Sequence, residues 1–172
     1  MCLAAQMYAQ DYDETYLFWT IGSSGQYTMN WWWQAVVPYV KNNQLIACPS
    51  ASGDPLRTCG CNAASQLQAP RPIQYGVNCG NGGQNGTQMP NWHSPLGQKL
   101  GNIQRPSECV WVGDSDCVNL GPNNRYTSEG STCPGVSARH NDGANLGFCD
   151  GHVKWYKWNP TTNLPFSAWN RT

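Results

Sequence analysis

One dipeptide constrains the fold of this chain more than any other feature: Asp150-Gly151, set between two runs of alternating side chains. Before it, Leu146 and Phe148 alternate with Asn145, Gly147 and Cys149. After it, Val153, Trp155 and Lys157 alternate with His152, Lys154, Tyr156 and Trp158. Period-two patterning marks half-buried strands, and Asp-Gly supplies the positive φ that a tight type I′ turn needs at both centres. The spacing predicts a β-hairpin over 144–158. A hairpin alone is marginal in water, so it needs further strands or a helix against its apolar face. Residues 109–112 (Cys-Val-Trp-Val), ending at Gly113-Asp114, read as a buried strand.

The rest of the chain offers shorter signals. Residues 1–14 read as a helix, with Leu3, Met7 and Gln10 along one stripe and Ala4 and Tyr8 beside it. It has no N-cap, and Asp11, Asp13 and Glu14 crowd its unfavourable C-terminal end, so it is expected to be held by packing or to continue upstream. Residues 30–41 read as a second helix, with Asn30 as N-cap and Pro38 stopping it early. The apolar run 44–48 and residues 73–77 read as short strands. Segments 50–107 and 115–137 read mostly as long loops, broken by prolines and Gly/Asn clusters. A loop of that length is ordinarily functional or stapled.

Composition narrows the class. A chain of 172 residues is one ordinary domain. Charged residues make up 12% and the net charge is zero, so no basic field exists to hold nucleic acid or anionic lipid. No apolar stretch is long enough to span a membrane, and no signal peptide is visible. The nine cysteines lack zinc-finger spacing, Cys59-Gly60-Cys61 being too tight. They suit an oxidising compartment, where most would pair as disulfides and Cys2 would stay single. Cys109 with Cys117, or Cys48 with Cys59, Cys61 or Cys79, would staple the loops. An exported chain needs an export signal, so the N-terminus is expected to have been removed.

Several landmarks then stand in order along the chain. They are Met7-Tyr8-Ala9-Gln10-Asp11-Tyr12-Asp13-Glu14, Pro38-Tyr39-Val40-Lys41-Asn42-Asn43 with Cys48-Pro49-Ser50, and Gln74-Tyr75-Gly76-Val77-Asn78. Val112-Gly113-Asp114-Ser115 follows. Last come Arg139-His140-Asn141-Asp142-Gly143-Ala144-Asn145 and Phe148-Cys149-Asp150-Gly151-His152-Val153-Lys154-Trp155, in which nine residues separate His140 from Asp150-Gly151. In this the chain resembles prepilin-type proteins bearing the H-X9-DG element. The resemblance implies an α+β, pilin-like fold, a spine helix packed on an antiparallel sheet with long disulfide-stapled loops. Residues 1–172 would form one globular domain, with 1–14 the remnant of the spine helix and 108–158 the core strands and hairpin. It implies a structural subunit of a type IV pilus or a type II secretion pseudopilus, lacking leader and apolar helix half. Its partners would be other pilin-like subunits. Its place would be extracytoplasmic, in the periplasm or at the cell surface, without membrane contact in this form.

Four candidate sites follow from residue chemistry. His140 with Asp150 can be an acid/base or metal pair, or can simply hold the hairpin together through His140, Asp150 and Gly151. Asp114, Asp116 and Asn119 place oxygen donors close together, which suits calcium, an ion also found in major pseudopilins. Trp31, Trp32, Trp155 and Trp158 include residues expected to be exposed, which could stack on a glycan or another surface. Asp114, Ser115, His140 and Asp150 could make a small hydrolase, although no nucleophile elbow surrounds Ser115. His93 and His152 read as surface histidines.

Overall fold

The computed structural model describes residues 1–18, 20–21, 30–51, 74–78, 94–115, 119–120, 126–128, 131–133 and 136–157. Helix α1 spans Cys2–Asp11 and starts without a side-chain cap. It ends where Asp13 and Glu14 take left-handed φ values of 52° and 54°. Strands β1 (Thr20–Ile21) and β2 (Asn30–Trp31) pair antiparallel, and β2 leads directly into helix α2 (Trp32–Val36). A 3-10 turn, Val37–Tyr39, follows with Pro38 inside it. The second helix is thus shorter than the 30–41 expected, because Pro38 has no N–H to carry an α-helical ladder onward. A second 3-10 turn, Asn43–Ile46, replaces the strand expected over 44–48. Asn42 selects the turn there: its side-chain oxygen accepts from the Gln44 N–H at 2.9 Å.

The remaining strands are β3 (Tyr75–Asn78), β4 (Val110–Asp114), β5 (Asn119–Leu120), β6 (Tyr126–Ser128), β7 (Ser131–Cys133), β8 (Gly143–Phe148) and β9 (Val153–Lys157). Five of them form one sheet in the order β5-β3-β4-β8-β9. Its four strands β3, β4, β8 and β9 are antiparallel to their neighbours, and β5 adds parallel to β3. The architecture is α+β. Segment 115–137, expected as loop, contributes β5 to the sheet and pairs β6 with β7 on its own.

The helices lie on one face of this sheet. Cys2, Ala4, Ala5, Tyr8, Trp32, Trp33 and Val36 pack there against Val77, Cys109, Trp111 and Val112. Trp32 meets Trp111 edge-on at 5.9 Å between ring centroids, and Tyr16 meets the same indole at 5.6 Å. Each such pair contributes about 0.5–1.5 kcal/mol beyond the area it buries. The other face carries Val110, Leu120, Val136, Ala144, Leu146 and Phe148. The buried stripe of α1 corrects the sequence reading. Leu3 and Met7 are 76% and 48% exposed, while Cys2, Ala4, Ala5, Tyr8 and Ala9 face the sheet. The reason is distance. A Cβ on Gly147 would come within 2.4 Å of Cys2 Sγ, so the helix–sheet contact at Cys2 admits only small groups.

Two local irregularities aim side chains. The β4–β8 register shifts between Val110 and Val112, so Trp111 is an extra residue in β4. Trp111 and Val112 therefore both enter the helix-side core, and Val110 enters the other. Beyond the bulge the alternation is inverted. Gly113 faces Leu146 and Leu120, and Asp114 comes round to the helix side. The second irregularity is the turn after β8. It holds three residues, with Phe148 N–H donating to His152 O and Gly151 N–H to Phe148 O. Gly151 has φ +99°, and Asp150 is not among the positive-φ residues. The expected hairpin is present, but it closes as a three-residue loop with glycine at the left-handed position rather than as a type I′ turn.

The expected disulfide staples are not found among the described residues, and Cys2 is single as expected. Cys2, Cys48, Cys109 and Cys149 are buried free thiols. Cys109 packs in the helix-side core, and Cys48 Sγ faces His140. Cys59, Cys61, Cys79 and Cys117 lie outside the described residues. So do Asp116, His93, Trp158 and the tail beyond 157.

Candidate metal centre

Three segments far apart in sequence meet beside the C-terminal end of β4. Asp114 closes that strand on the helix side, opposite Tyr75 of β3. Cys48 follows the second 3-10 turn, and its N–H donates to Gln74 Oε1 at 2.6 Å. His140 begins a tight turn into β8, in which His140 N–H donates to Gly143 O and Gly143 N–H to His140 O. The centres of that turn, Asn141 and Asp142, have φ 55° and 57°. Asn and Asp tolerate this left-handed conformation better than other residues with a Cβ. The type I′ geometry expected at Asp150-Gly151 is therefore found at Asn141-Asp142 instead.

The side chains of these three residues converge. Cys48 Sγ lies 3.4 Å from His140 Nε2, and Asp114 Oδ1 lies 3.4 Å from the same nitrogen. All three donor atoms fall within 4.8 Å of one another. Cys48 is buried, Asp114 is 1% exposed, and the His140 side chain is 29% exposed, so solvent reaches the group from the histidine side. The surroundings fix each donor. Asp114 Oδ2 accepts from Asn145 N–H at 2.7 Å and Asn145 Nδ2 at 3.2 Å. Oδ1 makes no hydrogen bond although it is buried. Trp155 Nε1 donates to His140 O at 2.9 Å and holds the turn. Arg139 braces it from the preceding position, donating to Gln74 O at 3.2 Å and Ser115 O at 2.8 Å. Tyr75 stands close enough that, after burial, the charges of Cys48 and Asp114 push its hydroxyl above the ordinary tyrosine value, with Arg139 opposing them.

This geometry decides among the chemistries read from sequence. Asp114 and His140 are brought together. Asp150 is not with them: it sits in the turn at the far end of β8, where its Oδ1 lies 2.6 Å from His152 Nδ1. A six-residue strand is about 20 Å long, so the proposed set of Asp114, His140 and Asp150 does not assemble. Ser115 is buried, pairs with Val136 and adjoins Asp114 on extended backbone, which turns it to the opposite face. Of the calcium set, Asp114 turns to sulfur and nitrogen, Asp116 is outside the described residues, and the Asn119 side chain is not described. Of the aromatic set, Trp32 is fully buried, which removes it as a stacking platform. Neighbours on a five-residue helix can both lie within its buried arc, as Trp32 and Trp33 do. Trp155 is 44% exposed but is engaged at the His140 turn. The Trp31 side chain is not described.

Cys48 does not stand out as a site residue in the sequence, where it reads as half of a disulfide with Cys59, Cys61 or Cys79. The signal was present in Cys48-Pro49-Ser50, a landmark standing in series with Asp114 and His140. Comparisons of the chain with family models, curated proteins and solved structures return no match.

Proposed function

We propose that this chain is the globular domain of a pilin- or pseudopilin-like structural subunit, belonging to a cell-surface filament or a secretion apparatus outside the cytoplasm. The observation that carries the reading is the two-sidedness of α1. Its small residues pack on the sheet, while Leu3 and Met7, one turn apart, project outward at 76% and 48% exposure. An apolar stripe left uncovered on a helix is a contact surface for another protein. In a pilin-like subunit that surface meets neighbouring subunits. The helix on an antiparallel sheet and the five landmarks in order support the same reading. In the described residues no helix is long and apolar enough to cross a membrane.

Leu3→Asp with Met7→Asp tests this in the full-length parent. Both positions are exposed, so the isolated domain should keep its melting temperature within a few degrees, as surface changes usually cost under about 0.5 kcal/mol. Sheared surface filaments, or the pseudopilus fraction, should lose the subunit. A parent that never appears in such a fraction, or a double variant that assembles normally, would sink the proposal. The glycan-binding alternative has less support, since Trp32 is buried and Trp155 bonds to a backbone carbonyl. The hydrolase alternative loses Asp150.

A further inference from the structure

We propose that Cys48, Asp114 and His140 bind one divalent transition-metal ion of the zinc class, which clips the two loop-borne ligands to the end of the central strand. The inference is independent of the filament reading. Its first support is the way the donors converge. A relay of nucleophile, histidine and carboxylate uses both ring nitrogens, one for the nucleophile and the other for the acid. Here sulfur and carboxylate oxygen both face Nε2. That arrangement cannot pass a proton along a line, but it surrounds a point.

The two separations from Nε2 fit an ion at that point, and Cys48 Sγ and Asp114 Oδ1 lie within 4.8 Å of each other. Ordinary zinc bonds to sulfur, imidazole nitrogen and carboxylate oxygen, set at tetrahedral angles, separate the donor atoms by roughly 3.3–3.6 Å. The separations from Nε2 are 3.4 Å to Cys48 Sγ and 3.4 Å to Asp114 Oδ1. The second, independent support is Asp114 Oδ1 itself. A buried acceptor without a hydrogen bond is costly, yet this oxygen is aimed at the other two donors and has none. Its sister Oδ2 takes two hydrogen bonds from Asn145, which leaves Oδ1 as the ligating atom. Hydrogen bonds that hold a ligating carboxylate in this way are the usual outer shell of a metal site.

The donor set names the class. A thiolate, an imidazole and a carboxylate suit zinc and its neighbours, whereas calcium and magnesium take oxygens alone. Among the described residues no fourth His, Cys, Asp or Glu joins the three. The fourth position lies toward the solvent-accessible His140 side.

The test uses the whole chain, stripped with chelator and reloaded with zinc or cobalt. Wild type should take up one equivalent that depends on these residues, and zinc should raise its melting temperature. Cobalt should give the intense visible bands of a tetrahedral site together with a thiolate charge-transfer band. Cys48→Ser, Asp114→Asn and His140→Gln should each weaken binding on the order of a hundredfold or more, and Asn145→Ala by about tenfold to a hundredfold with all three ligands kept. Cys48→Ser should also abolish the charge-transfer band. Cys109→Ser, whose sulfur faces the core elsewhere, should change none of these. Circular dichroism in chelator checks that each variant folds. The spectroscopic loss at Cys48→Ser stands even if Asp114→Asn fails to fold. Cobalt bound without a thiolate band, or zinc uptake unaltered by Cys48→Ser and His140→Gln, overturns the proposal. A thermal shift with calcium equal to that with zinc overturns the assigned class.

Discussion

A single methyl group at Gly147 would collide with two elements at once. Its carbon would lie 2.4 Å from Cys2 Sγ and 2.9 Å from Val112 Cγ1. Both atoms belong to short side chains packed in the helix-side core, so relief needs a turn of each side chain or a shift of α1. Gly147→Ala should therefore lower stability by about 1–3 kcal/mol, the usual cost of overpacking a filled core. Urea unfolding at neutral pH measures it, and a change under about 0.5 kcal/mol would mean that the helix is not seated as described. Close approach of this kind is hard to read from sequence. Gly147 reads as one of the polar-phase residues of an alternating strand, and of the small residues of α1 only Ala4 is placed near the stripe of Leu3 and Met7. Hydrophobicity pointed to the larger residues, but the interface selected for small volume.

At the scale of elements, the hairpin was the best-read feature because two independent signals, alternation and Asp-Gly, agree. Only its turn type was wrong. Gly151 at φ +99° holds the one position of that loop where a side chain would be strained, and a Cβ there meets nothing nearer than Gln6 Cγ at 3.7 Å. Gly151→Ala should thus cost about 1–2 kcal/mol through backbone conformation alone. Because space is not the obstacle, Gly151→Asn should recover part of the loss in the same unfolding experiment. Equal stability of all three proteins would contradict the left-handed assignment. The strand expected over 44–48 failed for a different reason. A short apolar run fits a strand and a helical turn equally well, and the capping oxygen of Asn42 settled the matter locally. The bulge at Trp111 had no sequence signal at all. Without it Asp114 would face away from Cys48, so half of the candidate site was legible as chemistry but not as geometry.

Across the whole molecule, the helix-side core sets an alkaline limit. Burial pushes the Tyr16 hydroxyl well above the ordinary tyrosine value. Burial, then the neighbouring Cys109 thiol, pushes Cys149 well above the ordinary thiol value. Both folded-state values are raised, so their contribution is complete below the unfolded values of about 9 to 10. It is lost as pH climbs from there toward the folded values, because the unfolded chain ionises first. Unfolding free energy should fall steadily above pH 9. Tyr16 Oη is buried with the Cys149 thiol as the polar group beside it, so Tyr16→Phe should change stability by no more than about 1 kcal/mol at pH 7. It should also flatten part of the alkaline decline, as denaturant titrations between pH 7 and 11 would record. A decline of undiminished slope would show that Tyr16 titrates alike in the folded and unfolded chains. The spacing between His140 and Asp150 has a meaning at this scale too. The intervening residues are the two centres of one turn, the six residues of β8 and the first residue of the next loop. The motif thus works as a ruler whose length is one strand. Adding one residue inside β8 would swap the faces of Asn145 and Gly147, detaching the carboxylate's support and the helix's seat together. Adding two would restore the faces but carry the Cys149 turn one strand repeat beyond α1. The segment between the histidine and the aspartate therefore tolerates exchange of letters far better than any change in their number.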